Sequence, residues 1–254
     1  MTGTVSATAN GVASAVVDGT PTGAAGRTAG TAAGAADAVA GIVEGVFEEL
    51  HRVREAVVRI MGPEPVSGDL AALRPLLLPR LGGLISGIGF IAEPGLLADA
   101  PWFLEWWQEG PSGEPVRLVR DMDPASSAFY DYTHWEWFAG PRSGDGHTMA
   151  GPYVDILCTD EYSLTLAVPV CAERGFAGVA AADVFVRRFE VAVLPVLRAL
   201  PGPAFLVNRQ GRVVASTTAR QLTGSIFRGA PGTASHPCRE LPLSLVAAQL
   251  PHAP

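Results

Sequence analysis

Between Asp37 and Ile60 the apolar residues Val39, Ile42, Val43, Val46, Leu50, Val53, Val57 and Ile60 recur three and four positions apart. At 3.6 residues per turn this spacing predicts one stripe of a long amphipathic helix, ended by Gly62 and Pro63. A stripe of that length needs a broad partner, so the helix is either a core-packing element or the seam of a homodimer. A second helical stretch opens after Ser67-Gly68-Asp69 with Leu70, Leu73, Leu76 and Leu77, and Pro75 and Pro79 kink or divide it. Beyond Gly82 the pattern turns extended. Residues 84–92, 102–108, 116–121, 153–159, 163–170 and 176–183 are short runs parted by Gly, Pro or Asp, which predicts strands in succession. Residues 184–200 then predict a helix, and 205–216 two strands around the turn Asn208-Arg209-Gln210-Gly211. In the last segment only 241–250 has the pattern of a short helix. Helices first and antiparallel strands after them indicate an α+β fold rather than a doubly wound one.

Residues 1–35 hold only Asp18 and Arg27 as charges and no aromatic residue, too little to offset the entropy of ordering a Gly/Ala/Thr chain. The expected organisation is a disordered leader over 1–35, a domain over 36–200, and a C-terminal hairpin and tail over 201–254. With 48% apolar residues the chain can bury a core. Its net charge of −7, with no lysine and 18 arginines, argues against a nucleic-acid partner. No secretory signal and no uncharged apolar run of about 18 residues is present, so a cytoplasmic chain without a membrane partner is expected. Cys158, Cys171 and Cys238 are odd in number and lack Cys-x-x-Cys spacing, against both a disulfide scaffold and a cysteine zinc site. His51, His134, His147, His236 and His252 are scattered: His51 is expected on the outer face of the first helix, and Asp145-Gly-His147 in an exposed turn. No dinucleotide fingerprint or nucleophile elbow occurs, so no cofactor and no metal is expected. The enzymatic alternative is a metal- or carboxylate-dependent enzyme acting on a small polar substrate, with His134 working beside Asp131, Asp155 or Asp160.

The chemistry is concentrated in one stretch. Tyr130, Tyr132, Trp135, Trp137 and Phe138 are followed by Tyr153 and Asp155, and then by Asp183. Aromatic faces carry negative potential and carboxylates a full charge, so a concave site built from both attracts an ammonium group. The competing reading is that the aromatics fill a core. Asp155, on a strand otherwise made of Tyr153, Val154, Ile156 and Leu157, is costly beside a core unless it is paired or binds something.

The segments 130–138, Gly151-Pro-Tyr153-Val-Asp155, Leu164-Thr-Leu-Ala-Val-Pro169-Val170 and the late Gly178-Val-x-x-x-Asp183 together resemble the ligand-binding module of a Cache domain, the PAS-like sensor of bacterial chemoreceptors and kinases. The resemblance covers roughly residues 37–200. It implies a long N-terminal helix packed on an antiparallel sheet whose concave face holds a ligand, with 201–254 as a partial second module. It also implies a non-catalytic sensor, in which Tyr130, Tyr132, Trp135, Trp137, Phe138 and Tyr153 wall the site and Asp155 and Asp183 take an ammonium group. In the amino-acid-sensing members an arginine that clamps the ligand's α-carboxylate aligns with Trp135. An indole there implies an amine rather than an amino acid, unless Arg142, Arg117 or Arg120 supplies the clamp. No output segment is recognised, so signalling would pass through a regulatory or transport partner or through self-association.

Overall fold

The computed structural model describes residues 30–155 and 161–248. Helix α1 spans Ala32–Ile60 and is capped by Thr31, whose side-chain oxygen accepts from the Gly34 N–H at 3.1 Å. Ala32 to Ala35, read from sequence as leader, therefore belong to the helix. An N-cap of this kind contributes ~1 kcal/mol, so Thr31→Ala is expected to lower the melting temperature by about 2–4 °C. No change in a thermal melt would show that the first turn carries no weight. The predicted stripe is buried: Val39, Val43, Val46, Leu50, Val53 and Val57 face the chain's own core. Pro75 and Pro79 divide the second stretch into a 3-10 segment Ser67–Leu73, the single turn α2 at Arg74–Leu77, and a 3-10 turn Leu78–Arg80. No helix among the described residues is long and apolar enough to cross a membrane.

The main sheet is antiparallel and has six strands: β1 (Gly87–Ala92), β2 (Leu104–Glu109), β3 (Pro115–Arg117), β4 (Thr148–Asp155), β5 (Glu161–Ala172) and β6 (Gly175–Phe185), in the order β3-β2-β1-β6-β5-β4. Each answers a predicted strand; residues 156–159 of the fourth prediction lie outside the described residues. A short helix α3 (Glu136–Arg142) precedes β4, and α4 (Val186–Arg198) follows β6, which claims Val184 and Phe185 from the predicted helix. Alternation along the strands divides the sheet's side chains between two buried faces. Ile88, Phe90, Leu164, Leu166, Val168, Ala180, Ala182 and Val184 belong to the cluster built around α1. Ile91, Leu104, Trp106, Ala150, Ala167, Val179 and Ala181 pack on the other side with Trp137 and Phe138 of α3.

A second antiparallel sheet joins β7 (Ala204–Asn208), β8 (Val213–Ser216), β9 (Thr233–Pro237) and β10 (Leu243–Ala248) in the order β8-β7-β10-β9. The expected hairpin is β7–β8. Of the stretch 241–250 expected to form a short helix, residues 243–248 are instead strand β10, which pairs with β7 and extends the hairpin into a sheet, and 249–250 lie outside the described residues. Leu206, Val214, Cys238, Leu243 and Leu245 share the core of α1. His51 also departs from expectation: it is half-buried, its Nε2 lying 3.1 Å from Nε2 of His147, and the His147 ring packs on Phe47 with centroids 4.3 Å apart. Burial lowers the pKa of both imidazoles. His147 is therefore not the exposed turn residue its sequence context suggests, although Asp145 does reach the surface to pair with Arg209 at 2.8 Å.

Candidate functional site

Strand β4 carries the feature that builds the site. Ala150 pairs with Thr165, but the next pair is Tyr153 with Ser163, so Gly151-Pro152 adds one residue on the β4 side. Such a bulge reverses the alternation beyond it. Without it Pro152 and Val154 would face the α3 side; with it Tyr153 and Asp155 do. Gly151 has φ +103°, a conformation that side chains disfavour, and its carbonyl accepts from Asn208 Nδ2 at 2.7 Å, tying the bulge to β7.

The turned residues meet Asp183 of β6 on the face that packs against α3. Thr165 Oγ1 donates to Asp183 Oδ1 at 2.6 Å, and the Tyr153 hydroxyl lies 2.5 Å from the same Thr165 oxygen. With the threonine proton committed to the carboxylate, Tyr153 is the donor. Asp155 and Asp183 are both buried, and both line one small cavity with Thr165, Tyr153, Trp106, Tyr130 and Trp137. Burial, and next the neighbouring Asp155 charge, push the Asp183 carboxyl up to about 7, against a smaller opposite pull from Thr165. Burial, with the charge of Asp183 second, raises the Tyr153 phenol well above its usual value. Two acids held together out of water resist double ionisation, and a cation placed between them relieves that.

Of the eight residues predicted for the site, Tyr130, Trp137, Tyr153, Asp155 and Asp183 line the cavity. Trp135 stands just behind it, its ring stacked on that of Tyr153 with centroids 6.2 Å apart and planes at 28°. Two are corrected. Tyr132 and Phe138 are fully buried against each other in the aromatic core, with centroids at 5.2 Å, and Tyr132 donates its hydroxyl proton to the Ala92 carbonyl at 2.8 Å. They anchor the connection between β3 and α3 to β1 rather than wall the cavity. Sequence reasoning missed Trp106 and Thr165. The signal for both was strand parity: Thr165 is opposite Asp183, and Trp106 is opposite Gly89, on the same face.

Among the described residues lining the cavity none is cationic. Arg142 pairs with Glu93 at 2.6 Å and Arg117 with Glu105 at 3.3 Å. Arg120 is half-buried with no acceptor for its Nε among the described residues, and it does not line the cavity. The enzymatic alternative finds no support in this geometry: His134 and Asp131 meet 3.8 Å apart on the surface, outside the cavity, and Asp160 lies outside the described residues. No cluster of three or more potential metal ligands occurs among the described residues.

No family model and no curated relative matches the chain. Solved structures do. The extracellular domain of a candidate histidine kinase, mmHK1S-Z3, superposes with a TM-score of 0.64 at 14% identity, over 87% of this chain and 92% of that one. The ligand-binding domain of the Pseudomonas aeruginosa PAO1 amino acid chemoreceptor PctC, solved with GABA, gives 0.52 at 17% identity, over 84% and 94%. That of the Pseudomonas fluorescens chemoreceptor CtaA, solved with L-valine, gives 0.54 at 15%, over 86% and 94%. The chain has the Cache fold. The Cache domains it resembles are ligand-binding or extracellular domains of receptors and kinases, not catalytic ones. In this fold the face of the main sheet that is covered by α3 and the connection before it is where the cavity lies.

Proposed function

We propose that this Cache domain is a non-catalytic sensor whose ligand is a small amine, held as an ammonium ion between Asp155 and Asp183. The observation that carries the reading is the charge balance of the cavity: two buried carboxylates line it, and no cationic side chain among the described residues does. An ammonium group can pair with both acids, whereas the carboxylate of an amino acid would meet no cationic side chain among the described residues lining the cavity. Tyr130, Trp137 and Trp106 add aromatic surface worth ~0.5–2 kcal/mol per cation–π contact. The cavity measures about 30 Å³, space for roughly two waters. The ligand is therefore small, and Leu118 and Tyr130 on the β3–α3 connection yield as it enters. Output passes through a regulatory or transport partner. Self-association through α1 would have to use its polar face, because its apolar stripe is taken up by the chain's own core. Two neighbours are named as extracellular domains, so the cytoplasmic placement expected from sequence gains no support from them.

A thermal-shift comparison of amines with their carboxylated counterparts tests this directly: ethylamine against alanine, 2-aminoethanol against serine. At a hundredfold excess over the dissociation constant a bound amine stabilises by ~2.7 kcal/mol, a rise of roughly 5–10 °C for a domain of this size. An equal shift from the amino acids would overturn the preference, and no shift from any amine would overturn the site. The same screen carries a pH signature. Because Asp183 titrates at about 7 in the empty site, an ammonium ion arriving at lower pH must displace a proton. Affinity is expected to fall by up to about tenfold per pH unit below 7 and to flatten above it, while the amine itself stays protonated. Titration calorimetry at pH 6 and pH 8 measures this, with proton release at pH 6; a flat profile would mean that Asp183 does not meet the ammonium.

A further inference from the structure

Trp106 and Trp107 are adjacent indoles on β2 with opposite fates. Trp107 faces the α1 side of the sheet and donates its Nε1 proton to Glu105 Oε1 at 2.8 Å, completing a cluster in which the same carboxylate accepts from Arg74 Nε at 2.7 Å. Trp106 faces the cavity, is 5% exposed, and its Nε1 is buried with no acceptor among the described residues. Buried donors in folded proteins are almost always paired, and an indole N–H left open at a cavity wall, with no acceptor among the described residues, is positioned for one that a ligand brings.

Its position says where that acceptor sits. The indole lies across Gly87: a β-carbon on Gly87 would fall 3.0 Å from Cζ2 and 3.1 Å from Nε1 of the ring. Gly87 is the β1 residue opposite Asp183. The absence of a side chain at 87 thus lets the indole edge lie over the β1 residue opposite Asp183, in the lining the two residues share. In a cavity of about 30 Å³ the ammonium and the acceptor must be close together in the same small molecule.

We infer that the ligand is a short amino alcohol or amino ether, an ammonium with an oxygen acceptor three bonds away, and that Trp106 Nε1–H reads that oxygen. This rests on the amine reading above and narrows it. Simple alkylamines leave the indole donor unpaired, and diamines place a second cation, which accepts no hydrogen bond, against it. Trp106 is then a specificity residue: it selects among amines that the two acids hold alike.

The test compares 2-aminoethanol with propylamine, which replaces the hydroxyl by a methyl group and keeps the chain length, and with 2-methoxyethylamine, whose ether oxygen accepts but cannot donate. On the wild-type protein both oxygen-bearing amines are expected to bind about tenfold more tightly than propylamine. Trp106→Phe is expected to bring the ratios to about one while leaving propylamine affinity within a factor of two or three. Equal affinities on the wild type, or a Trp106→Phe variant that loses all the amines in parallel, would overturn the inference while leaving the ammonium site standing. Binding of none of them would overturn both. Should Trp106→Phe not fold, the wild-type ratio and the indole N–H resonances decide. One of the indole signals of the full chain is expected to shift with 2-aminoethanol and 2-methoxyethylamine but not with propylamine, and a response indifferent to the oxygen removes Trp106 from ligand recognition.

Discussion

Asp183→Asn is expected to stabilise the ligand-free protein at pH 8 while abolishing its response to amines. The carboxyl is raised from its ordinary value of 3.8 to about 7, chiefly by burial and next by Asp155. Between those two values the folded chain holds a proton that the unfolded chain has released, so stability falls as pH rises through that window and levels off above 7. At about 1.4 kcal/mol per unit, the ionised acid costs the empty protein up to roughly 4 kcal/mol at pH 8. Asparagine has nearly the same shape, its carbonyl oxygen still accepts from the Thr165 hydroxyl, and it removes the charge. The melting temperature of Asp183→Asn should therefore exceed that of wild type by on the order of ten degrees at pH 8, with the gain vanishing toward pH 4, where the wild-type acid is protonated. A core position behaves in the opposite way, losing stability at every pH when altered. Melts at pH 4.5 and 8 with and without 2-aminoethanol separate the two. An Asp183→Asn protein that is weaker at both pH values would make the carboxylate a structural acceptor for Thr165, and a retained amine shift would remove it from the site.

That an acid should sit where it destabilises the empty chain is the physical reason it could be found from sequence. A carboxylate in an apolar strand is anomalous whatever the fold, so Asp155 between Val154 and Ile156, and Asp183 after a run of alanines, stand out before any geometry is known. The long helix was legible for the complementary reason: its stripe obeys one period from Val39 to Val57, and the structure buries those residues. Where neither anomaly nor period exists, the sequence is ambiguous. The run 243–248 has buried residues on both sides of strand β10, and such a run carries no strand period to set it apart from a helix. The helix α3 has seven residues and contains Pro141, so local propensity gives no warning of it.

The aromatic stretch shows the limit most clearly. Tyr130 and Trp137 line the cavity while Tyr132 and Phe138 are sealed beneath it, a division made by the path of an irregular connection rather than by any spacing. The adjacent indoles Trp106 and Trp107 are indistinguishable by composition, and only strand parity assigns one to the cavity and the other to Glu105. Parity in turn depends on the bulge at Gly151-Pro152, since without that extra residue Tyr153 and Asp155 would point away from Asp183.

Trp135→Arg is expected to change the ligand class of the site. The indole stacks on the far side of Tyr153, whose phenol belongs to the hydrogen-bonded chain leading to Asp183. It is half-buried at the N-terminal edge of α3, where its backbone is extended (φ −71°, ψ 140°), so a long flexible side chain fits without helix strain. A guanidinium in its place can stack on the same ring and extend past it toward the cavity, supplying the cation that the lining lacks. A charge-assisted pair with a ligand carboxylate contributes ~1.5–3 kcal/mol, about 10- to 150-fold in affinity. The same positive charge repels an ammonium that has no carboxylate to offset it. The ratio of serine to 2-aminoethanol affinity, measured by calorimetry, should therefore rise by at least tenfold in Trp135→Arg and stay unchanged in Trp135→Phe, which keeps a ring on Tyr153 but adds no charge. An unmoved ratio in the arginine variant would place position 135 beyond the ligand's reach and reduce its indole to a prop for Tyr153. A rise in both variants would mean that room, rather than charge, excludes the carboxylate from the wild-type cavity.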